Sequence, residues 1–463
     1  MIHQQSFAEL RRQYRRGELS PVDVTRSALE HAERVAAPTN AFALLDPDRA
    51  LAAAHRSQQR WRSGQPTGDL DGMPVTVKEF AAVQGWPTRR ASLTTSTAPA
   101  PASTVFVARL EAAGAVLLGK TRAPEFNWKG VTDSPGFGIT RNPWNLDLTP
   151  GGSSGGCAAA VAAGVVRVSF GSDAGGSVRI PAAFSGILGL KPTFGLIPVV
   201  PFPSHFSNTA HVGPLGISST DMIEALQIVG GSSASDWTSV SESAEARAAG
   251  ESPIENLRIG LLDPAQWSDS APIVRAGVDL VAATLRAEGL HLREVDFDVR
   301  NASVVGQELY ELACAQIVRG IAAKDRALLD PALVECADAV GEPDLQDYFA
   351  LMQRRDAHGA ALAALFETVD VLLMPTVPIT AFGAGRNVPE GWHDPNWFSW
   401  NPYTPAFNGL HAPALSYPVW PAGADLPVGV QLVARKLSDR RLLRLAAWLE
   451  TRIPIRLSPL AEE

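Results

Sequence analysis

Two glycine-rich clusters around a short apolar segment place the strongest limits on how this chain can fold. The first, residues 149–157, reads TPGGSSGGC, and the second, residues 171–179, reads GSDAGGSVR. Glycine at this density indicates backbone that takes positive φ or passes close to other groups. Each cluster contains a glycine-flanked serine, Ser153 in the first and Ser177 in the second. A serine in such a setting is a candidate nucleophile when a base lies within hydrogen-bond reach.

Strand-like and helical patterns alternate around the clusters. Residues 73–77 form an apolar strand-like run, and Lys78 stands at its end. A strand, a helix and a strand in succession predict an α/β fold with much parallel pairing. The other segments with a clear pattern are a helix at 103–113, a helix at 157–164, and strands at 115–118, 165–170, 257–262, 290–296, 369–374, 414–419 and 428–433.

The pattern divides one predicted domain, residues 1–463, into four segments. Residues 1–65 are predicted to be helical, and residues 66–230 carry the glycine clusters and the first core strands. Residues 231–256 are rich in Ser, Ala, Glu and Gly without apolar periodicity, which predicts a surface loop. Residues 257–463 return to core strands and also contain variable segments, so we expect one large sheet that continues across the loop.

Composition excludes several classes of protein. With 46% hydrophobic and 19% charged residues among 463, the chain has the composition of an ordinary globular protein. A net charge of −8 argues against a broad nucleic-acid-binding surface. Three scattered cysteines without a C-x-x-C pair predict neither a zinc site nor a disulfide framework and suit a reducing compartment.

The N-terminus lacks the apolar core of a signal peptide, and the longest strongly apolar run, residues 158–166, is too short to span a bilayer. We therefore expect a cytoplasmic protein without a metal, a cofactor, a nucleic-acid partner or a membrane partner. The expected assembly is a monomer or a homodimer acting on a small molecule.

Two interpretations of the serines compete. The first cluster matches G-x-S-x-G, but that nucleophile elbow needs a strand before it, and residues 141–147 read as a loop. The second cluster follows a predicted strand, and a glycine turn there can direct several backbone N–H groups at one point, as in an oxyanion hole. No histidine is marked out as a base, so lysine is the alternative. Lys78 lies where burial would lower the pKa of a lysine.

An ordered series of motifs resembles the amidase signature family. The resemblance covers most of the chain and runs through residues 72–78, 142–144, 149–156, 158–164, 171–182, 189–193, 213–215, 369–376 and 426–432. It implies a single α/β domain with a central mixed sheet flanked by helices. One departure is Cys157, where many members have serine.

The resemblance also implies a Ser–cis-Ser–Lys catalytic triad. By motif position, Ser177 is the nucleophile, Ser153 the cis-serine that relays the proton, and Lys78 the base. The implied oxyanion donors are the backbone N–H groups of Ala174, Gly175, Gly176 and Ser177.

The implied activity is hydrolysis of amide C–N bonds through an acyl-enzyme. Eleven tryptophans, several of them near expected site loops such as the irregular segment 382–408, favour a small apolar or aryl amide. Esters and carbamates (urethanes) would suit the same acyl-transfer chemistry. The alternative is the A subunit of a glutamine-dependent tRNA amidotransferase, because fold and triad do not fix the substrate.

Overall fold

An 11-stranded mixed sheet organises the fold of this computed structural model, which describes residues 1–200, 205–206 and 208–462. A separate two-stranded hairpin is formed by β4 and β5. The strands are β1 (Phe42–Leu45), β2 (Pro74–Lys78), β3 (Val116–Thr121), β4 (Asp133–Ser134), β5 (Gly138–Ile139), β6 (Val168–Asp173), β7 (Leu188–Lys191), β8 (His211–Gly216), β9 (Arg258–Leu262), β10 (His291–Val295), β11 (Val371–Pro375), β12 (Ala414–Val419) and β13 (Val428–Ala434). The predicted fold class, a single α/β domain with a large mixed sheet flanked by helices, is confirmed.

The α-helices lie between and around the strands in the sequence, singly or in groups of two or three. They are α1 (Phe7–Arg16), α2 (Pro21–Thr39), α3 (Pro47–Arg62), α4 (Val105–Ala112), α5 (Gly155–Ala162), α6 (Arg179–Ser185), α7 (Ser219–Val229), α8 (Ala244–Gly250), α9 (Pro272–Ala287), α10 (Val299–Arg319), α11 (Pro331–Val340), α12 (Leu345–Thr368), α13 (Thr404–Gly409) and α14 (Asp439–Glu450). No helix in the described ranges is long and apolar enough to cross a membrane.

The strand order places the strand that ends at Lys78 beside the strand that leads into the second glycine cluster. The sheet runs β1-β3-β2-β6-β8-β7-β12-β13-β11-β9-β10, and β2 pairs in parallel with both β3 and β6. Carboxyl ends of parallel neighbours meet at one edge of a sheet, where α/β proteins place their sites. Lys78 ends β2 and Asp173 ends β6, so the predicted base and the second glycine cluster meet at that edge.

Helix α5, which follows the first glycine cluster, is buried along its whole length. Its sequence, GGCAAAVA, contains small side chains at nearly every position, which lets neighbouring backbone approach closely. A Cβ on Gly156 would collide with the backbone of Arg122 and Ala41. The helix therefore fixes the loop before it, which contains Ser153, by close packing.

Three expectations about local structure are wrong. Residues 1–65 are not all helical, because β1 forms an antiparallel edge strand against β3. Four apolar residues without alternation carry too weak a strand pattern to be predicted. Residues 382–408 are not all irregular, because α13 begins at Thr404, where a Thr-Pro pair supplies a helix start.

The predicted surface loop at residues 231–256 contains helix α8 and a 3₁₀ turn at Ile254–Asn256. Alanine and glutamate are strong helix formers, and Ser243 Oγ accepts the N–H of Ala246 at 3.1 Å, as a helix-capping residue does. At the other end, Arg444 Nη1 donates to the Gly250 carbonyl at 2.6 Å. Helix capping and the helix propensity of alanine and glutamate are thus enough to form α8, although the sequence here has no apolar periodicity.

Candidate active site

Lys78 meets the first glycine cluster inside the protein. Its Nζ lies 2.7 Å from Ser153 Oγ and 3.0 Å from Ser172 Oγ, and its side chain is fully buried. The peptide bond between Gly152 and Ser153 is cis. The two hydroxyls that the lysine amine contacts belong to the first glycine cluster and to β6, so Lys78 bridges the segments that carry both candidate serines.

Burial lowers the pKa of Lys78. Loss of solvent around the amine lowers its pKa from 10.5 to about 7, and the thiol of Cys157 and the carboxylate of Asp173 oppose the shift only in part. A lysine with a pKa near 7 is largely neutral in mildly alkaline solution and can accept a proton. Lys191, equally buried, instead donates to the carbonyl of Pro192 at 3.0 Å.

The first glycine cluster is held by its backbone. A Cβ on Gly152 would collide with the backbone of Val131, so only glycine fits there. Thr132 Oγ1 donates to the Gly151 carbonyl at 2.9 Å and accepts the N–H of Gly155 at 3.1 Å. These contacts fix the loop on both sides of Ser153.

The second glycine cluster wraps around a buried carboxylate. Asp173 accepts the N–H of Gly176 at 2.7 Å and that of Val178 at 3.1 Å, and it pairs with Arg179 through Nη2 at 2.9 Å. Gly176 has a φ of 124°, which L side chains rarely adopt. Ser177, 2% exposed, follows Gly176, and its carbonyl accepts the N–H of Ser154 from the first cluster at 3.0 Å.

Residues distant in the sequence complete the charge network of Asp173 and Arg179. Arg179 Nη1 donates to the Thr404 carbonyl at 2.9 Å and to Gln431 Oε1 at 2.8 Å. Asn408 Nδ2 donates to Asp173 Oδ1 at 2.9 Å. Burial alone would raise the pKa of Asp173, but Arg179 and these hydrogen bonds hold it well below its usual range. The carboxylate thus stays ionised and shapes the turn.

The structure separates the four implied oxyanion donors by what their backbone contacts. The N–H of Gly176 donates to Asp173 Oδ1, whereas the N–H groups of Ala174, Gly175 and Ser177 are not among the described donors to that carboxylate. The carbonyl of Gly175 accepts Thr404 Oγ1 at 2.7 Å and Asn401 Nδ2 at 2.9 Å. These bonds on the carbonyl fix the plane of the following peptide.

Aromatic side chains cover the second cluster. A Cβ on Gly175 would lie 3.3 Å from Tyr310 and 3.4 Å from Phe398. The rings of Tyr310 and Phe398 meet edge to face at 5.2 Å, and the ring of Phe206 lies 4.5 Å from that of Tyr310. We call Tyr310, Phe398 and Phe206 the aromatic wall. Tyr310 is itself fixed by a 2.6 Å hydrogen bond to the carbonyl of Asn127.

Sequence reasoning missed Ser172, Thr404, Asn408, Gln431 and the aromatic wall. Ser172 lies on β6 itself. The positions of Tyr310, Thr404 and Gln431 depend on α10, α13 and β13 meeting the sheet edge, which no local pattern predicts. Two tryptophans donate their indole N–H to carboxylates. Trp86 Nε1 donates to Asp46 at 2.7 Å and Trp128 Nε1 to Asp330 at 3.1 Å.

A family model described as Amidase matches residues 23–443. This chain belongs to the amidase family. The A subunit of glutamyl-tRNA(Gln) amidotransferase from Synechococcus sp. (strain CC9605) is 33% identical over 468 residues, which cover 95% of this amidase and 94% of that protein. Within the described ranges, no cluster of His, Cys, Asp and Glu could hold a metal ion.

Two solved structures superpose over nearly the full length of this amidase. A bacterial aryl acylamidase of the amidase signature enzymes gives a TM-score of 0.87 at 27% identity, covering 98% of this chain and 97% of the other. The A subunit of the Thermotoga maritima glutamyl-tRNA(Gln) amidotransferase gives 0.80 at 25% identity, covering 100% and 98%. The fold is thus shared by an enzyme named for a small substrate and by one component of a larger enzyme.

Proposed function

We propose that this amidase cleaves amide C–N bonds through an acyl-enzyme on Ser177, with Ser153 as the proton relay and Lys78 as the base. The observation that carries the proposal is the 2.7 Å contact between Lys78 Nζ and Ser153 Oγ in a fully buried setting. A hydroxyl beside a lysine of lowered pKa can pass a proton to it, as Ser–Lys enzymes require.

In this mechanism, neutral Lys78 takes the proton of Ser153, and Ser153 takes that of Ser177. Ser177 Oγ then bonds to the amide carbon, and the C–N bond breaks as the proton returns through Ser153 to the leaving nitrogen. Water attacks the acyl-enzyme and releases the acid. The N–H groups of Gly175 and Ser177 serve the developing oxyanion, while that of Gly176 keeps the turn in shape.

The aromatic wall supports an apolar or aryl amide as the substrate. Tyr310 and Phe398 lie against Gly175, two residues from Ser177, and offer ring faces and edges. Rings of this kind bind apolar and aromatic groups through burial and edge-to-face contact. Esters and carbamates (urethanes) present the same type of carbonyl, so they belong to the proposed range.

The sequence relatives support a second candidate, a subunit of an amidotransferase complex. They support it more strongly than they support the first candidate, an enzyme that works alone. This amidase resembles the A subunit of a glutamyl-tRNA(Gln) amidotransferase, with 33% identity over nearly its whole length. For this candidate, the same acyl-enzyme would form on glutamine and release ammonia within a complex. The superposition is closer for the aryl acylamidase, with a TM-score of 0.87, than for the Thermotoga protein, with 0.80, but similarity of fold does not fix the substrate.

A substrate screen separates the two candidates. The purified chain is assayed with anilides, aliphatic amides, esters, carbamates and glutamine, and the products are identified by mass. Turnover of anilides or carbamates by the chain alone supports the first candidate. Ammonia release from glutamine that requires partner proteins supports the second. No turnover in any arm, or turnover that survives in Ser177→Ala, contradicts the proposal.

A further inference from the structure

A cavity lies apart from the residues of the candidate active site. It opens between α12, the residues that follow α13 and the end of β13, and its volume is about 590 Å³. Pockets of roughly 300–1,000 Å³ commonly hold small organic ligands. None of Lys78, Ser153 and Ser177 lines it.

One side of this cavity is cationic. Arg355, Arg435 and Lys436 line it, together with a single acidic residue, Asp356. Arg435 already pairs with Glu367 at 2.8 Å, outside the cavity lining. Burial and the neighbouring Arg355 both lower the pKa of Lys436. Burial also lowers the pKa of Arg355, and Asp356 opposes that shift only in part. Two like charges held close together in this way favour an anion between them.

The orientation of Arg355 is fixed by its neighbours. Its Nε donates to the Gly409 carbonyl at 2.6 Å, and its Nη2 lies 2.6 Å from His411 Nε2. Burial lowers the pKa of His411 to about 3, so this ring is neutral at pH 7 and adds no charge. His411 is itself fixed by stacking on Phe194 with ring centroids 4.1 Å apart. The guanidinium is therefore positioned before any ligand arrives, which lowers the entropic cost of binding.

The other side of the cavity is apolar. Leu362 and Phe366 from α12 and Leu410 after α13 line it. Leu362 and Phe366 are each 4% exposed, so they form a packed floor. A cationic rim and an apolar floor match a molecule with one negative end and an apolar body.

We propose that this cavity binds a small organic carboxylate, with its carboxylate on Arg355 and Lys436 and its apolar body on Leu362, Phe366 and Leu410. The site is separate from the candidate active site. Its wall nevertheless continues from Gly409 to Asn408, whose side chain donates to Asp173 at the second glycine cluster.

The test is calorimetric titration of the full chain with octanoate, and with octan-1-ol as the uncharged probe of equal length. Lys436→Glu reverses the charge at the rim, and Ala363→Trp fills the cavity from the exposed side of α12. Lys324→Glu, an exposed lysine away from the cavity, is the matched control. Thermal melting of each variant establishes that it is folded.

We expect octanoate to bind at least about tenfold more weakly to Lys436→Glu and to Ala363→Trp than to the unchanged chain, because a charge-assisted contact or the apolar floor is lost. Binding to Lys324→Glu stays unchanged, and octan-1-ol binds more weakly than octanoate. Absence of octanoate binding, equal binding of the two probes, or unchanged affinity in both cavity variants overturns the proposal.

Discussion

The two glycine clusters lie at the same sheet edge but are held by different physical means. The first is fixed by close packing of backbone, with glycine at positions where a Cβ would strike Val131 or Arg122. The second is fixed by a buried ion pair, Asp173 with Arg179. The first cluster thus depends on the absence of side chains at its glycines, and the second depends on a buried pair of opposite charges.

The difference has consequences for how each cluster is encoded. The steric limits of the first cluster are encoded by the glycines of its own sequence. The second depends on Thr404, Asn408 and Gln431, all more than two hundred residues away along the chain. Substitutions far away along the chain should therefore disturb the turn that holds Ser177 more than the loop that holds Ser153.

The largest expected effect separates the roles of the two serines. Ser177→Ala removes the proposed nucleophile, so kcat should fall by about 10⁴-fold or more. The measurement is steady-state turnover of the best substrate from the screen, with melting temperature as the control for folding. A fall of less than about tenfold would assign the nucleophile elsewhere.

Changes at Lys78 and at Ser153 of the first cluster should be graded. Lys78→Met removes the base and should lower kcat by about 10³-fold, within the range for general base catalysis. Ser153→Ala removes only the relay, and a water molecule can take part of its task, so we expect a loss of about 10²-fold. Equal losses in both variants would show that Ser153 does more than relay a proton.

Breaking the ion pair tests whether charge holds the second cluster. Asp173→Asn leaves Arg179 buried without its carboxylate and should lower the free energy of unfolding by about 3–5 kcal/mol and reduce kcat as well. Asp221→Asn, which breaks the buried contact with Arg167 away from the site, is the matched control. It should cost stability but leave kcat unchanged. If kcat were the same in both variants, the ion pair would not be what keeps the turn in its active shape.

The pH profile should report Lys78, which contacts Ser153 of the first cluster, and not the second cluster. Lys78, with a pKa of about 7, is protonated below that value and cannot accept a proton. We expect kcat/KM to fall about tenfold per pH unit below pH 7. Asp173 stays ionised throughout this range because its pKa lies well below the usual value. A flat profile between pH 5 and 8 would contradict a lysine base.

Much of the fold could be predicted from local pattern, because strands such as β12 carry a clear apolar run. The strand β12 occurs at the predicted residues, and β2 extends to Lys78 itself. The edge strand β1 was missed because four apolar residues fit helix and strand alike. Helix α8 was missed because its helix rests on capping and alanine content.

Only those parts of the candidate site that lie within local sequence motifs could be predicted. The glycine clusters and the strand end at Lys78 are local features, so these residues could be named from sequence, and their catalytic roles remain predictions. The involvement of Asn408 and Tyr310 follows from how α13 and α10 pack against the sheet edge. No sequence pattern near Asn408 or Tyr310 predicts that packing.

The most direct test of the division between the clusters is to map covalent labelling. The chain is treated with a fluorophosphonate, digested, and the modified serine is located by tandem mass spectrometry. The account predicts one label, on Ser177, that is absent from Ser177→Ala and slower to form in Lys78→Met. A label on Ser153, in the cluster that spells G-x-S-x-G, would contradict it.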